Sequence, residues 1–132
     1  VFLAHLQWKA VHLQLTRYRV SMGHLLITGG LGFLGLQTAR HFLRKGKVWN
    51  PVFSTSTPLS QLTLFDKGFP AEPLPEDIVG DDRIRVVTGD ITTPGVAAEI
   101  VDRSDTTVIH LASMVSGDTE AHPELGWAVN VE

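Results

Sequence analysis

The chain has 132 residues, one domain's worth, and its 43 % apolar and 19 % charged content describes a globular chain rather than a disordered one. It has no cysteine, which excludes a disulfide scaffold, thiolate catalysis and thiolate metal sites. No apolar run approaches the roughly 20 residues that cross a bilayer as a helix, and a net charge of −3 gives no footing for nucleic-acid binding.

That charge is unevenly spread: seven Lys/Arg and no acid precede Asp66, while four Lys/Arg and fourteen acids stand from Asp66 onward. Such asymmetry marks the first half as the place to look for an anion site. Residues 1–21 are apolar and basic, with a strand-like alternation at Val11, Leu13 and Leu15. Ordinary domain text starts at Met22, so the expected division is an atypical extension over 1–21 and a domain over 22–132. Translated upstream sequence, an organellar targeting segment and an extra strand are the readings of that extension. A secretory signal is not expected, because no apolar stretch precedes a small-residue cleavage site.

Residues 24–28 (HLLIT) are short and aliphatic, as a buried parallel strand requires. A glycine cluster follows, then a helix over Phe33–Lys45, whose apolar positions Phe33, Leu36, Ala39 and Leu43 recur at helical spacing. Arg44 and Lys45 suit the negative end of its dipole and Gly46 suits its cap. Residues 46–60, with the run Ser54-Thr55-Ser56-Thr57-Pro58, read as a loop. A second strand is expected over 61–65, mostly loop over 67–82, and a third strand over 84–88. A helix over 94–103, a fourth strand over 107–112 and a helix from 122 to the end complete the chain. Alternating strands and helices predict an α/β fold: a Rossmann-type, doubly wound parallel sheet. The sequence stops within a helical pattern that no capping residue closes, so it reads as the N-terminal part of such a domain.

Residues 28–35 contain G-x-G-x-x-G at 30, 32 and 35, and also T-G-x-x-G-x-x-G with glycines at 29, 32 and 35. Either is weak alone. Here the cluster follows an apolar strand and opens a helix, which is the context a dinucleotide fingerprint needs. One glycine permits the tight turn, one lets the backbone approach a pyrophosphate and one lets helix and strand pack closely. The helix end offers unpaired N–H groups and about half a positive charge. An ordinary Gly-rich turn is the alternative, and the absence of a following G-K-[ST] excludes a nucleotide triphosphatase loop. A dinucleotide site also needs an acid at the end of its second strand for the ribose hydroxyls. Asp66 is the first acid in the chain, 31 positions past Gly35, and it terminates the expected strand. The alternative is a surface turn Asp. Lys67 beside it could accept a 2′-phosphate, so NAD is expected with NADP left open. Asp90 follows the third strand and is either an acceptor for the adenine amino group or a turn residue.

His5, His12, His24, His41, His110 and His122 show no metal-binding spacing. His110, within an apolar strand, reads as a hydrogen-bonded core residue. Ser113 and Ser116 lack the G-x-S-x-G of a hydrolase elbow.

Residues 28–35 (TGGLGFLG), Asp66, Gly89-Asp90-Ile91 and His110-Leu111-Ala112-Ser113 together resemble the extended short-chain dehydrogenase/reductases, the NAD-dependent epimerase/dehydratase-like enzymes. The long link before LFDKG, the stretch ASMVSG and PELGWAVN resemble, within that family, enzymes that oxidise small sugar acids. The resemblance covers 22–132. It implies that Gly29, Gly32, Phe33, Leu34 and Gly35 line the pyrophosphate, that Asp66 holds the adenosine ribose, and that Asp90 and Ile91 meet the adenine. It further implies that Leu111, Ala112 and Ser113 flank the nicotinamide-side ribose and that Asn130 sits near the cofactor. Val115, Ser116 and Gly117 would face the substrate. The implied whole is a cytoplasmic enzyme, paired as a homodimer, that uses NAD to oxidise a hydroxy acid such as D-erythronate, with no nucleic-acid or membrane partner. The alternatives are a nucleotide-sugar epimerase or dehydratase of the same family and a dinucleotide-binding module without catalysis.

Family members remove the alcohol proton with the Tyr of a Tyr-x-x-x-Lys pair, whose Lys lowers a phenol pKa otherwise near 10. The single tyrosine here is Tyr18, and Met22 stands four positions on. No catalytic residue is therefore expected in these 132 residues, because in the family the pair follows a fifth strand.

Overall fold

The computed structural model describes residues 22–131; the expected extension over 1–21, with its alternation at 11–15, lies outside the described residues. Strand β1 (Gly23–Thr28) has Leu25, Leu26 and Ile27 at 0–1 % exposure, so both of its faces are covered. Helix α1 (Phe33–Lys45) follows and turns the small residues Gly35 and Ala39, one helical step apart, onto the sheet. Leu36, Phe42 and Leu43 pack beside them. Gly46 closes the helix at φ +65°, its N–H donating to Phe42 O at 2.8 Å.

The expected loop over 46–60 is instead a β-hairpin. Strand β2 (Lys47–Asn50) runs antiparallel to the first part of the long strand β3 (Thr55–Asp66), with Lys47 opposite Pro58 and Asn50 opposite Thr55. The turn is set by Asn50, whose Oδ1 accepts from the N–H of Val52 at 3.0 Å and of Phe53 at 3.2 Å. Ser54 then takes φ +49°. Asn50 is fully buried. Asn50→Ala is expected to lower stability by about 1–2 kcal/mol, since it removes both acceptor bonds and leaves a hole. Urea melts of the two proteins measure this, and equal midpoints would sink it.

Past the hairpin, β3 turns from alternating to continuous burial over Leu62, Thr63, Leu64 and Phe65, and there it pairs in parallel with β1. Its other edge takes β4 (Ile84–Thr88). The expected loop before β4 holds one helical turn, α2 (Glu76–Val79), whose Ile78 is fully buried and whose Asp77 takes a two-pronged bond from Arg40 of α1. Helix α3 (Val96–Ile100) is shorter than the expected 94–103 and buries no residue. Strand β5 (Thr106–His110) begins one residue earlier and ends two earlier than expected, and pairs in parallel with the free edge of β1. The helix expected from 122 is α5 (Pro123–Asn130), and a further helix, α4 (Ser116–Ala121), precedes it. Buried Gly126 lets the two touch, for a Cβ there would lie 2.4 Å from Thr119 Cγ2.

The parallel strands run β4-β3-β1-β5. The chain builds outward from β1 to β4, then crosses back to the other side of β1. This is the doubly wound order, and its reversal lies between β1 and β5. The main core lies under α1, where Leu25, Ile27, Leu31, Ala39, Leu62, Leu64 and Ile78 meet.

Candidate dinucleotide site

Parallel strands end together, so the sheet brings Gly29, Asp66, Gly89 and Leu111 to one rim. The ladder continues past the strands to fix them: Gly30 N–H donates to Phe65 O and Gly89 N–H to Asp66 O, both at 2.9 Å, and Leu111 N–H to Thr28 O at 3.0 Å. Gly29 sits at φ +66°, and a Cβ on it would stand 2.8 Å from the Ala112 nitrogen. Only glycine fits both requirements. Leu31, an unspecified position of the motif, plugs into the core at 6 % exposure while its N–H donates to Asp66 Oδ2 at 3.0 Å.

A groove crosses this rim in two lobes of about 340 and 510 Å³ that share Gly29, Gly32, Leu111, Ala112 and Ser113. The first lobe adds Asp66, Asp90 and Ile91. The second adds Phe33, Leu34, Gly35 and Asn130. The structure thus brings around one groove every residue for which the family resemblance implied a cofactor contact. It does not gather Val115, Ser116 and Gly117, which are exposed where α4 begins and line neither lobe.

The groove suits a dinucleotide chemically. No side chain caps α1 and no acid stands in its first turn, so its N–H groups face the second lobe without a competing carboxylate. Phe33, the first apolar position of the helical pattern, is 77 % exposed there. Phe33 and Leu34 of the first turn line the second lobe, while Gly35 is buried beneath them. Gly32 has ordinary backbone angles, and a Cβ on it would touch only Gly29 O, at 3.4 Å, so its bareness keeps the groove open. Asp66 accepts from Leu31 N–H on Oδ2 and from Lys67 N–H on Oδ1 at 2.8 Å. Each oxygen keeps a second lone pair, which is what two neighbouring ribose hydroxyls would use.

Asp90 Oδ1 accepts from the Thr92 hydroxyl at 2.7 Å and the Thr92 N–H at 3.0 Å. Its Oδ2 lies 3.3 Å from Lys67 Nζ. The Thr92 bonds first, and then the Lys67 ammonium, hold its carboxyl at about 2, so it stays ionised near neutrality.

Sequence reasoning missed two devices that hold the groove. Thr28 Oγ1 accepts from the N–H groups of Leu111 at 3.2 Å and Ala112 at 3.3 Å, which leaves its proton for His110 Nδ1 at 2.6 Å. His110 is therefore bonded as expected, and among the described residues, where β5 is the last strand of the sheet, it is exposed. Asn130 spends its amide on Met114, accepting from its N–H at 2.8 Å and donating to its carbonyl at 3.2 Å. It pins the segment after β5 beside the second lobe. Lys67, Phe65 and Met114 also line the first lobe. Of these only Lys67 carried a sequence signal, its place after Asp66. Among the described residues no group of three or more His, Asp or Glu could hold a metal ion, and no helix is long and apolar enough to cross a membrane.

Comparisons with known proteins bear on this groove. Over 109 residues the chain is 40 % identical to D-erythronate dehydrogenase of Cupriavidus necator, an alignment covering 83 % of this chain and 31 % of that enzyme. The nucleoside-diphosphate-sugar epimerase from Agrobacterium tumefaciens superposes with a TM-score of 0.60 at 26 % identity, over 83 % of this chain and 29 % of that one. A dTDP-glucose 4,6-dehydratase from Streptomyces venezuelae, solved with NAD bound, gives 0.59 at 25 % identity over 82 % and 32 %. The chain thus spans less than a third of the length of each. Residues 25–132, which hold the groove and the sheet from Leu25 of β1 onward, match one family model. The chain belongs to the NAD dependent epimerase/dehydratase family.

Proposed function

We propose that this chain is the cofactor-binding part of a NAD-dependent dehydrogenase that oxidises a small hydroxy acid such as D-erythronate to its oxo acid. The observation that carries the reading is the continuous groove from Asp66 and Asp90, over Gly29 and Gly32, to the uncapped start of α1. A carboxylate stands at one end for ribose hydroxyls and open N–H groups stand at the other for phosphates. The substrate class rests on the 40 % identity to D-erythronate dehydrogenase, the relative with the higher identity among those above.

When bound, a nicotinamide cofactor supplies the hydride acceptor. This chain's residues bind and orient it. Gly29, Gly32, Phe33, Leu34 and Gly35 cradle the pyrophosphate, Asp66 takes the adenosine ribose, and Asp90 and Ile91 border the adenine. Leu111, Ala112 and Ser113 border the nicotinamide ribose, with Asn130 fixing their flank through Met114. Val115, Ser116 and Gly117 are the proposed substrate-facing segment, since they continue directly from that flank. The proton of the alcohol has no Tyr-x-x-x-Lys pair to receive it in these 132 residues. The chain alone is therefore expected to bind NAD without turning over.

A second reading, a nucleotide-sugar epimerase or dehydratase, is favoured by the superposition on the nucleoside-diphosphate-sugar epimerase and the dTDP-glucose 4,6-dehydratase. Incubating the complete natural protein with NAD and either D-erythronate or dTDP-glucose separates the two. NADH absorbance growing with D-erythronate alone is the expected result. Conversion of dTDP-glucose with no net NADH would replace the first reading by the second.

A further inference from the structure

We infer that Asp90, by holding the Lys67 ammonium, makes the groove select a ribose without a 2′-phosphate. This rests on the dinucleotide reading above and adds a specificity-determining pair to it. Lys67 follows the proposed ribose acid directly, and among the residues lining the first lobe it is the one cation. A free ammonium at that point would attract a 2′-phosphate. It is not free: its Nζ lies 3.3 Å from Asp90 Oδ2. Asp90 cannot follow a displaced Lys67, because Thr92 grips its other oxygen through both hydroxyl and N–H. Its carboxyl, held at about 2, also does not lose its charge under ordinary conditions. The adenosine end therefore presents two carboxylates, Asp66 and Asp90, against one engaged ammonium. A dianionic phosphate entering there meets net negative charge, whereas ribose hydroxyls meet acceptors they can donate to.

The consequence is a non-additive effect. Lys67→Met in the parent is expected to weaken NADP binding, since it takes the one positive charge from beside Asp66 and Asp90, but by less than in the Asp90→Asn background, where the ammonium is released. Asp90→Asn removes one repelling charge and releases Lys67, and should move the NAD-to-NADP affinity ratio toward NADP by roughly tenfold. Adding Lys67→Met to Asp90→Asn should cancel the part of that gain that Lys67 carries, returning the ratio at least halfway to the parental value.

Calorimetric titration of the parent chain, both single variants and the double variant with NAD and with NADP forms the complete cycle. The ratio is the readout, so a general loss of affinity from disturbing the adenine side cancels; thermal melts establish that each variant is folded. An unmoved ratio in Asp90→Asn, or a double variant that keeps the full shift, overturns the inference while leaving NAD binding in place. Failure of the parent to bind either nucleotide overturns both this inference and the proposed function.

Discussion

Replacing Gly32 by valine is expected to weaken NAD binding by about two orders of magnitude, near 2.7 kcal/mol, and to leave the thermal midpoint almost unchanged. The two halves of that expectation have separate causes. Gly32 caps α1 at φ −75° and ψ 171°, an extended conformation that any residue adopts, so valine strains nothing in the backbone. A Cβ there would meet only Gly29 O, at an ordinary contact distance of 3.4 Å. The remaining bulk of valine has one place to go, the groove, because Gly32 lines both of its lobes. It would fill the space in front of the open N–H groups of α1 and hold a phosphate beyond hydrogen-bond reach. Calorimetric titration with NAD beside a thermal melt measures both halves. A folded valine variant that binds NAD like the parent would remove the groove from the proposed function.

How much of this was legible beforehand depends on which residues faced inward. β1 and the end of β3 read correctly because Leu25 to Ile27 and Leu62 to Phe65 are covered on both faces, so burial shows as an unbroken apolar run. The hairpin did not read as strands because two of its inward positions are Asn50 and Thr57, so alternating burial left no hydrophobic alternation. Ser, Thr and Pro then imitated a loop. Asp66 was legible because a strand-terminal acid is a local signal. The bonds of Leu31 to Asp66, Thr28 to His110, Asn130 to Met114 and Lys67 to Asp90 join residues far apart in the chain or pair groups that only the sheet's register aligns. No local pattern encodes them. Thr28, the first residue of the T-G-x-x-G-x-x-G reading, was seen as motif text, and its hydroxyl's task of holding Leu111 and Ala112 emerged only with β5 beside β1.

The same glycine loop yields the opposite outcome three residues on. Gly35→Ala is expected to destabilise the fold by about 2–3 kcal/mol, as overpacking of a closed contact does. A Cβ at Gly35 would fall 2.3 Å from Gly29 O and 2.6 Å from Gly30 Cα, and both are backbone atoms with no rotamer to yield. Gly30 cannot retreat, since a Cβ of its own would already stand 2.7 Å from Ile27 O and 2.8 Å from Leu64 Cα, which marks it as pressed against β1 and β3. Relief therefore requires α1 to lift from the sheet. That movement would pull Ala39, now at 0 % exposure, out of the core and loosen Leu36 and Leu43 with it. A loss of this size should lower the midpoint of a thermal melt by about 10 °C or more in a domain of this length. Alanine at Gly35 thus weakens NAD binding through the fold, and valine at Gly32 through the groove alone. An alanine variant that melts with the parent would show that α1 is not held to the sheet by the contact of Gly35 with Gly29 and Gly30. The packing argument for the loop would then fail, even if the groove still bound NAD.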